Sequence, residues 1–128
     1  MKHYLPNSLR ALFLSLTVLL SLPVLAVEVE IDGINYDLVV KAKQATVIAK
    51  NSGVYSGEVV IPESVEHEGA TYSVTSIGDG AFHDCEGLIS VIIPNSVKSI
   101  AGGAFFGCSC LESISVASDN EISSPLQV

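Results

Sequence analysis

The chain has 128 residues, room for one small domain, with 14 acidic against 6 basic residues and a formal charge of −8. Such a surface repels phosphate backbones, which excludes nucleic-acid binding, and it disfavours anionic membrane surfaces for the same reason. Three cysteines are an odd set and do not make a disulfide framework.

Taken in chain order, Lys2, His3 and Arg10 give a basic start, Ala11–Leu22 is apolar, and Pro23-Val24-Leu25-Ala26 closes the segment. That is the three-part order of a secretory signal peptide over residues 1–26, with small residues placed for cleavage after Ala26. The run is shorter than the about 20 apolar residues of a spanning helix, and no cysteine follows it for lipid attachment. Removing it leaves 4 lysines (Lys41, Lys43, Lys50, Lys98) against all 14 acids, a formal charge of −10. No stable membrane insertion is expected once the leader is gone. An exported protein, extracellular, at the cell surface or associated with an outer membrane, is the expectation.

Residues 27–57 show no repeat. Val27–Ile31, the turn pair Asp32-Gly33 and Ile34–Val40 read as a β hairpin. Ala45–Lys50 reads as a third strand, followed by the Asn51-Ser52-Gly53 turn.

From Glu58 the pattern changes. Val74–Ser96 laid over Val97–Asp119 gives nine identities in 23 positions without a gap, among them Ile77/Ile100, Gly80/Gly103, Phe82/Phe105, Cys85/Cys108 and Leu88/Leu111. A fixed period of this length marks a leucine-rich repeat, whose copies are too small to bury an apolar face alone and must stack. A degenerate copy lies upstream, Glu58–Val65 matching Ser90–Val97 at an offset of 32. The extra residues fall largely in His67–Ser73, where Glu68-Gly69-Ala70 has the composition of a hairpin tip. Three rungs of one sheet follow: Val59–Ile61, Val91–Ile93 and Ile114–Val116. Alternation sends Val91 and Ile93 inward and Ile92 outward, and Pro62 and Pro94 close their strands because proline cannot donate to the ladder. Gly80–Cys85 reads as one helical turn with Ala81 and Cys85 on its inner side and Phe82 in the core. The small Gly80 and Ala81 are expected to let that turn approach the sheet, and Gly102-Gly103 to loosen its second copy.

The string Ile77-Gly78…Ala81-Phe82…Cys85…Leu88…Val91…Ile93-Pro94…Ser96-Val97, echoed by Ile100, Ala104, Phe105, Cys108, Leu111 and Ile114, closely resembles the BspA-type leucine-rich repeat. It covers roughly Glu58–Ser118. The departures are Ala117 in place of the strand-ending proline and Cys110, which the pattern does not explain. The resemblance implies a mainly β leucine-rich-repeat solenoid with short helical turns over residues 58–119. The residue 27–57 meander then becomes a β-meander N-terminal cap, and residues 120–128 a C-terminal tail. It also implies a surface protein of bacterial type whose arrays bind proteins or cells.

Chemistry is weakly represented. Stacking would place Cys85 and Cys108 about 5 Å apart, which fits either a disulfide or a ladder of buried thiols acting as small apolar residues. Cys110 stands in a turn, as a free thiol or a rim residue. His83 and Cys85 lie two apart on one turn and point to different sides, so they make no nucleophile pair. His67 and His83 are isolated, and Asp79, Asp84 and Glu86 miss the order of a calcium loop. No metal site, cofactor or catalytic residue is expected, and no G-x-S-x-G, P-loop or dinucleotide string occurs.

If the chain has a binding face, alternation puts it on Glu58, Val60, Ser90, Ile92, Ser113 and Ser115. The dull reading of these residues is a solvated sheet face. The expected function is a non-enzymatic binding or adhesion module for a protein or cell-surface ligand. The alternatives are a structural spacer or truncated piece of a larger adhesin, and an exported enzyme using Cys85 or Cys110. Self-association through an uncapped C-terminal end is a further expectation.

Overall fold

The structure is a computed structural model and is described for residues 25–117. The leader through residue 24 and residues 118–128, with the tail and the self-association expected there, lie outside the described residues. Among the described residues nine strands make up the regular structure: β1 (Ala26–Ile31), β2 (Ile34–Val39), β3 (Gln44–Ile48), β4 (Gly57–Val60), β5 (Ser64–His67), β6 (Ala70–Ile77), β7 (Leu88–Ile93), β8 (Ser99–Ile100) and β9 (Ser113–Val116).

The strands form two parallel ladders. In one, β4, β7 and β9 stand side by side, Val59 opposite Val91 and Val91 opposite Ile114. These registers are the sequence offsets of 32 and 23 residues, so the repeat is the ladder. In the other, β3 pairs with β6 and β6 with β8, all parallel. The chain therefore runs through three coils, β3/β4, β6/β7 and β8/β9. The second ladder is longer, because β2 and then β1 continue it antiparallel beyond β3. β5 adds antiparallel to the start of β6. Two tight turns set these hairpins. Asp32-Gly33 has φ of 49° and 83°, Glu68-Gly69 of 49° and 79°, the paired positive values of a type I′ turn.

The expected helical turn is not there. Gly78–Leu88 is a chain of separate tight turns in which Ala81, His83, Cys85 and Leu88 each donate to the carbonyl three residues back. The reason lies in the backbone: Gly80 has φ 65° and Asp84 φ 56°, values a right-handed helix does not tolerate. The next coil repeats the device with Gly103 at 75° and Gly107 at 83°. Gly80 is thus required for its conformation, and its missing side chain makes no room for the sheet: a Cβ there would meet nothing closer than His83 at 3.8 Å. Gly103 fixes the second turn in the same way and does not loosen it. The close approach belongs to Gly78, where a Cβ would stand 3.2 Å from the Val47 carbonyl, the group that accepts Gly78 N–H at 2.8 Å.

Between the ladders lies a continuous apolar core. Leu38, Val47, Val74, Ile77, Phe82, Leu88, Val91, Val97, Ile100 and Phe105 are almost fully removed from solvent. Phe82 and Phe105 stack face to face with centroids 5.0 Å apart and 1° between planes, which is the strand spacing carried through the core. Tyr55 completes this column, 4.9 Å from Phe82 and tilted by 47°. Its hydroxyl accepts from Asn35 N–H at 2.9 Å and donates to Ile48 O at 2.7 Å, bridging the ends of β2 and β3. Tyr55 is the aromatic residue of the first coil, a role the upstream sequence does not advertise.

Candidate functional site

The β4-β7-β9 sheet buries Val59, Val91 and Ile93 and half-buries Ile114 and Val116. Its other face carries the six expected residues in two rows that run across the coils. Glu58, Ser90 and Ser113 are in register, as are Val60, Ile92 and Ser115. Neighbours in a row stand about 4.8 Å apart. All six are exposed except Ser90, which is half-buried on the central strand and whose Oγ donates to Glu58 Oε2 at 3.2 Å. Val60 and Ile92, 54% and 39% exposed, form an apolar pair running from the β4 edge to the central strand β7. The structure therefore brings all six together on a small, mostly neutral platform with one acid at its edge. Ile89 joins them at 39% exposure, pushed out where the β4–β7 register slips by one residue between Gly57 and Glu58.

The thiols sit apart from this face. Cys85 and Cys108 are buried free thiols. Cys108 Sγ donates to the Phe82 carbonyl at 2.9 Å, and burial, the largest cause, pushes both thiols above the ordinary range. A thiol held protonated in this way is a poor nucleophile. Cys110 is exposed. His83 is exposed, stacks on Phe106 at 5.4 Å and pairs with Asp84 at 3.1 Å, so it faces away from Cys85 as its spacing requires. Among the described residues no group of three or more metal-ligating side chains converges.

A second feature was not visible in the sequence. The longer ladder overhangs the shorter one by two strands, β2 and β1, so among the described residues β4 is an edge strand beneath the β1–β2 hairpin. Two cavities of about 330 and 380 Å³ lie along this edge and share Asp32, Ile34 and Val60. The residues that line them come from the 27–57 meander, from the β4 edge and from β5, three segments with no common motif. The one sequence signal was the unmatched coil: a first coil without an identifiable predecessor has an open edge.

Two parallel ladders joined by turns, one coil stacked on the next, define the class, a coiled repeat solenoid. The model described as the BspA type leucine-rich repeat region matches residues 59–125, and the chain belongs to that family. Similar solved structures include a leucine-rich-repeat protein from Bacteroides ovatus, at 30% identity and TM-score 0.64 over 72% of this chain and 24% of that one. A second, from Bacteroides capillosus, shares 31% identity at TM-score 0.61 over 70% of this chain and 64% of its own. A leucine-rich cell surface protein from Faecalibacterium prausnitzii is 26% identical at TM-score 0.60, over 73% of this chain and 24% of that one. The chain thus spans about a quarter of two of these proteins and under two thirds of the third. No curated protein sequence matches it. No helix among the described residues is long and apolar enough to cross a membrane.

Proposed function

We propose that this chain is an exported, non-enzymatic binding module that presents the outer face of the β4-β7-β9 sheet to a protein or cell-surface ligand. The observation that carries the reading is the register of the two rows, which sets Val60 and Ile92 side by side with Ser90, Ser113 and Ser115 beside them. Apolar groups flanked by polar ones are the anatomy of a protein contact, and serines leave the backbone of a partner free to approach. The printed description of the Faecalibacterium relative as a cell surface protein supports the address, together with the leader-like residues 1–26. In this reading β1 and β2 are the N-terminal cap, shielding the β3 edge of the longer ladder as a solenoid end requires. An adhesive role at the cell surface is the favoured use. A spacer with no ligand is not favoured, because it gives no reason for an exposed Val60–Ile92 pair.

The test is binding of the purified chain to immobilised extracellular-matrix proteins and to whole cells, with Ile92→Arg and Ser115→Arg as variants. Both side chains are exposed, so melting should not change. Loss of binding in both variants at unchanged stability is the expected result, and binding indifferent to them sinks the face. Export is checked separately by N-terminal sequencing of the secreted protein, which should begin at Val27.

A further inference from the structure

From the unpaired edge of β4 we infer a second docking site, one that takes an extended peptide segment of alternating basic and apolar residues as an added strand. Three observations lead there. The first is backbone direction. Gly57 N–H and Ile61 N–H donate across to Gly87 and Ile92 of the neighbouring coil. Peptide groups alternate in direction along a strand, so those of Glu58 and Val60 point the other way. There β4 has no strand partner among the described residues. Such a row is a ready template for a further strand.

The second observation is the overhang. Strands β2 and β1 extend the opposite ladder past the first coil, and nothing among the described residues continues the β4 ladder beneath them. The two adjoining cavities occupy this gap, between the hairpin tip at Asp32–Ile34 on one side and Val60 on the other, and reach Val65 and Tyr36. An added strand would turn alternate side chains inward against Ile34, Tyr36 and Val65 and the others outward.

The third observation selects the occupant. Asp32, Glu58 and Glu66 line the gap. Lys50 is the only base on its walls and is already engaged, with Gly33 O at 3.0 Å and Glu30 at 3.5 Å. An incoming strand therefore meets apolar groups interspersed with carboxylates that no free lysine on these walls compensates. That pattern favours lysine or arginine alternating with valine-like residues. A second copy of this chain, at a formal charge of −8, is repelled by the same carboxylates. The site shares Glu58 and Val60 with the rim of the outer face, whereas the outer-face variants at Ile92 and Ser115 lie on other strands and leave this edge unchanged.

The experiment uses the full chain and a fluorescent peptide of alternating lysine and valine, followed by anisotropy. Two control peptides accompany it, one with glutamate for lysine and one N-methylated at alternate amides on its pairing edge. The protein variant is Val60→Pro, which removes an outward N–H and leaves the Ile61–Ile92 bond in place. The Lys-Val peptide should bind and weaken with salt. The Glu-Val peptide should not bind, and N-methylation or Val60→Pro should each lower affinity about tenfold or more. Val60→Pro is scored only if its melting matches the parent; the N-methylated peptide carries the test by itself. Affinity indifferent to N-methylation would reduce the contact to charge alone and overturn the inference, as would absence of binding by the folded chain. Binding that appears only after removal of residues 1–24, or a dimer that excludes the peptide in sedimentation, would assign the edge to the chain itself and overturn it equally.

Discussion

The first coil shares the geometry of the two that follow, but it shares their sequence only from Glu58 to Val65. Coils two and three carry Phe82 and Phe105, stacked and nearly parallel, on backbone turns whose positive φ falls at matching positions. Coil one puts Tyr55 in the same column, tilted, and uses its hydroxyl to close the β2–β3 junction. An inner coil has a neighbour on both sides and can be filled by a purely apolar ring. The first coil abuts a different kind of structure, an antiparallel hairpin, and needs a group that is apolar on one side and hydrogen-bonding on the other. Position in the ladder dictates the shape of the residue, and the junction dictates its chemistry.

The sharpest way to break this comparison is at the centre of the column. Phe82, with a ring on each side, should cost about 3–5 kcal/mol when replaced by alanine, and Phe105→Ala no more than that. On a small solenoid a loss of this size approaches the whole stability. Denaturant melts showing a loss below about 1 kcal/mol would place these rings outside the energetic core.

Tyr55→Phe separates the two roles of the first-coil aromatic. The ring and its contact with Phe82 stay, while Asn35 N–H and Ile48 O lose their shared partner. Stranding a buried donor costs about 1–3 kcal/mol, so urea melts should show a loss of about 2 kcal/mol. A neutral result would mean that water replaces the hydroxyl and that the junction is looser than the geometry implies.

Both effects show what the sequence made legible. The 23-residue period, the rung positions and the inward set at Ala81, Phe82, Cys85 and Leu88 could be read directly, because each repeated buried site constrains its residue type twice. The outer face was legible too, since strand alternation follows from the inward set. The second parallel ladder was not: β8 falls inside the period but is only two residues long, too short to show strand alternation, and β3 lies outside the repeat. The helical turn was misread because Ala81 and Cys85 have helical spacing, whereas the positive φ at Gly80 and Asp84 breaks the helix while leaving that spacing intact. The groove was invisible for a different reason. It lies where one ladder outruns the other among the described residues, and its lining comes from segments with no common motif.

A smaller effect should come from the turn itself. Gly107 has φ 83°, and a Cβ there would run into the Asp84 carboxylate of the preceding coil. Gly107→Ala should therefore cost about 1–2 kcal/mol through backbone conformation alone, with more from the clash. Asp84, which holds φ 56° without being glycine, should gain stability on Asp84→Gly if that strain is real, or lose it if the His83–Asp84 pair matters more. Thermal melts of both variants decide which holds.

The mildest signature is in pH. Burial is the largest cause raising Cys85, Cys108 and Tyr55 above their ordinary ranges. Each folded-state value lies above the unfolded one, so the associated stability is fully present at neutral pH. It declines once pH passes the unfolded thiol value, about 8.5. Unfolding free energy should be flat from pH 6 to 8 as far as these groups are concerned and fall above about pH 9.

Residue-resolved hydrogen exchange tests the central claim most directly, that β3/β4 is a true coil of the solenoid with one closed and one open edge. Gly78 N–H bonds back to the first coil at Val47 O, and Ala101 N–H bonds back to the second at Ile77 O. The account predicts comparable strong protection at Gly78 and Ala101, with Glu58 and Val60 exchanging almost as freely as an unpaired chain. Fast exchange at Gly78 beside slow exchange at Ala101 would detach the first coil from the stack, and strong protection at Glu58 and Val60 would show the β4 edge already closed.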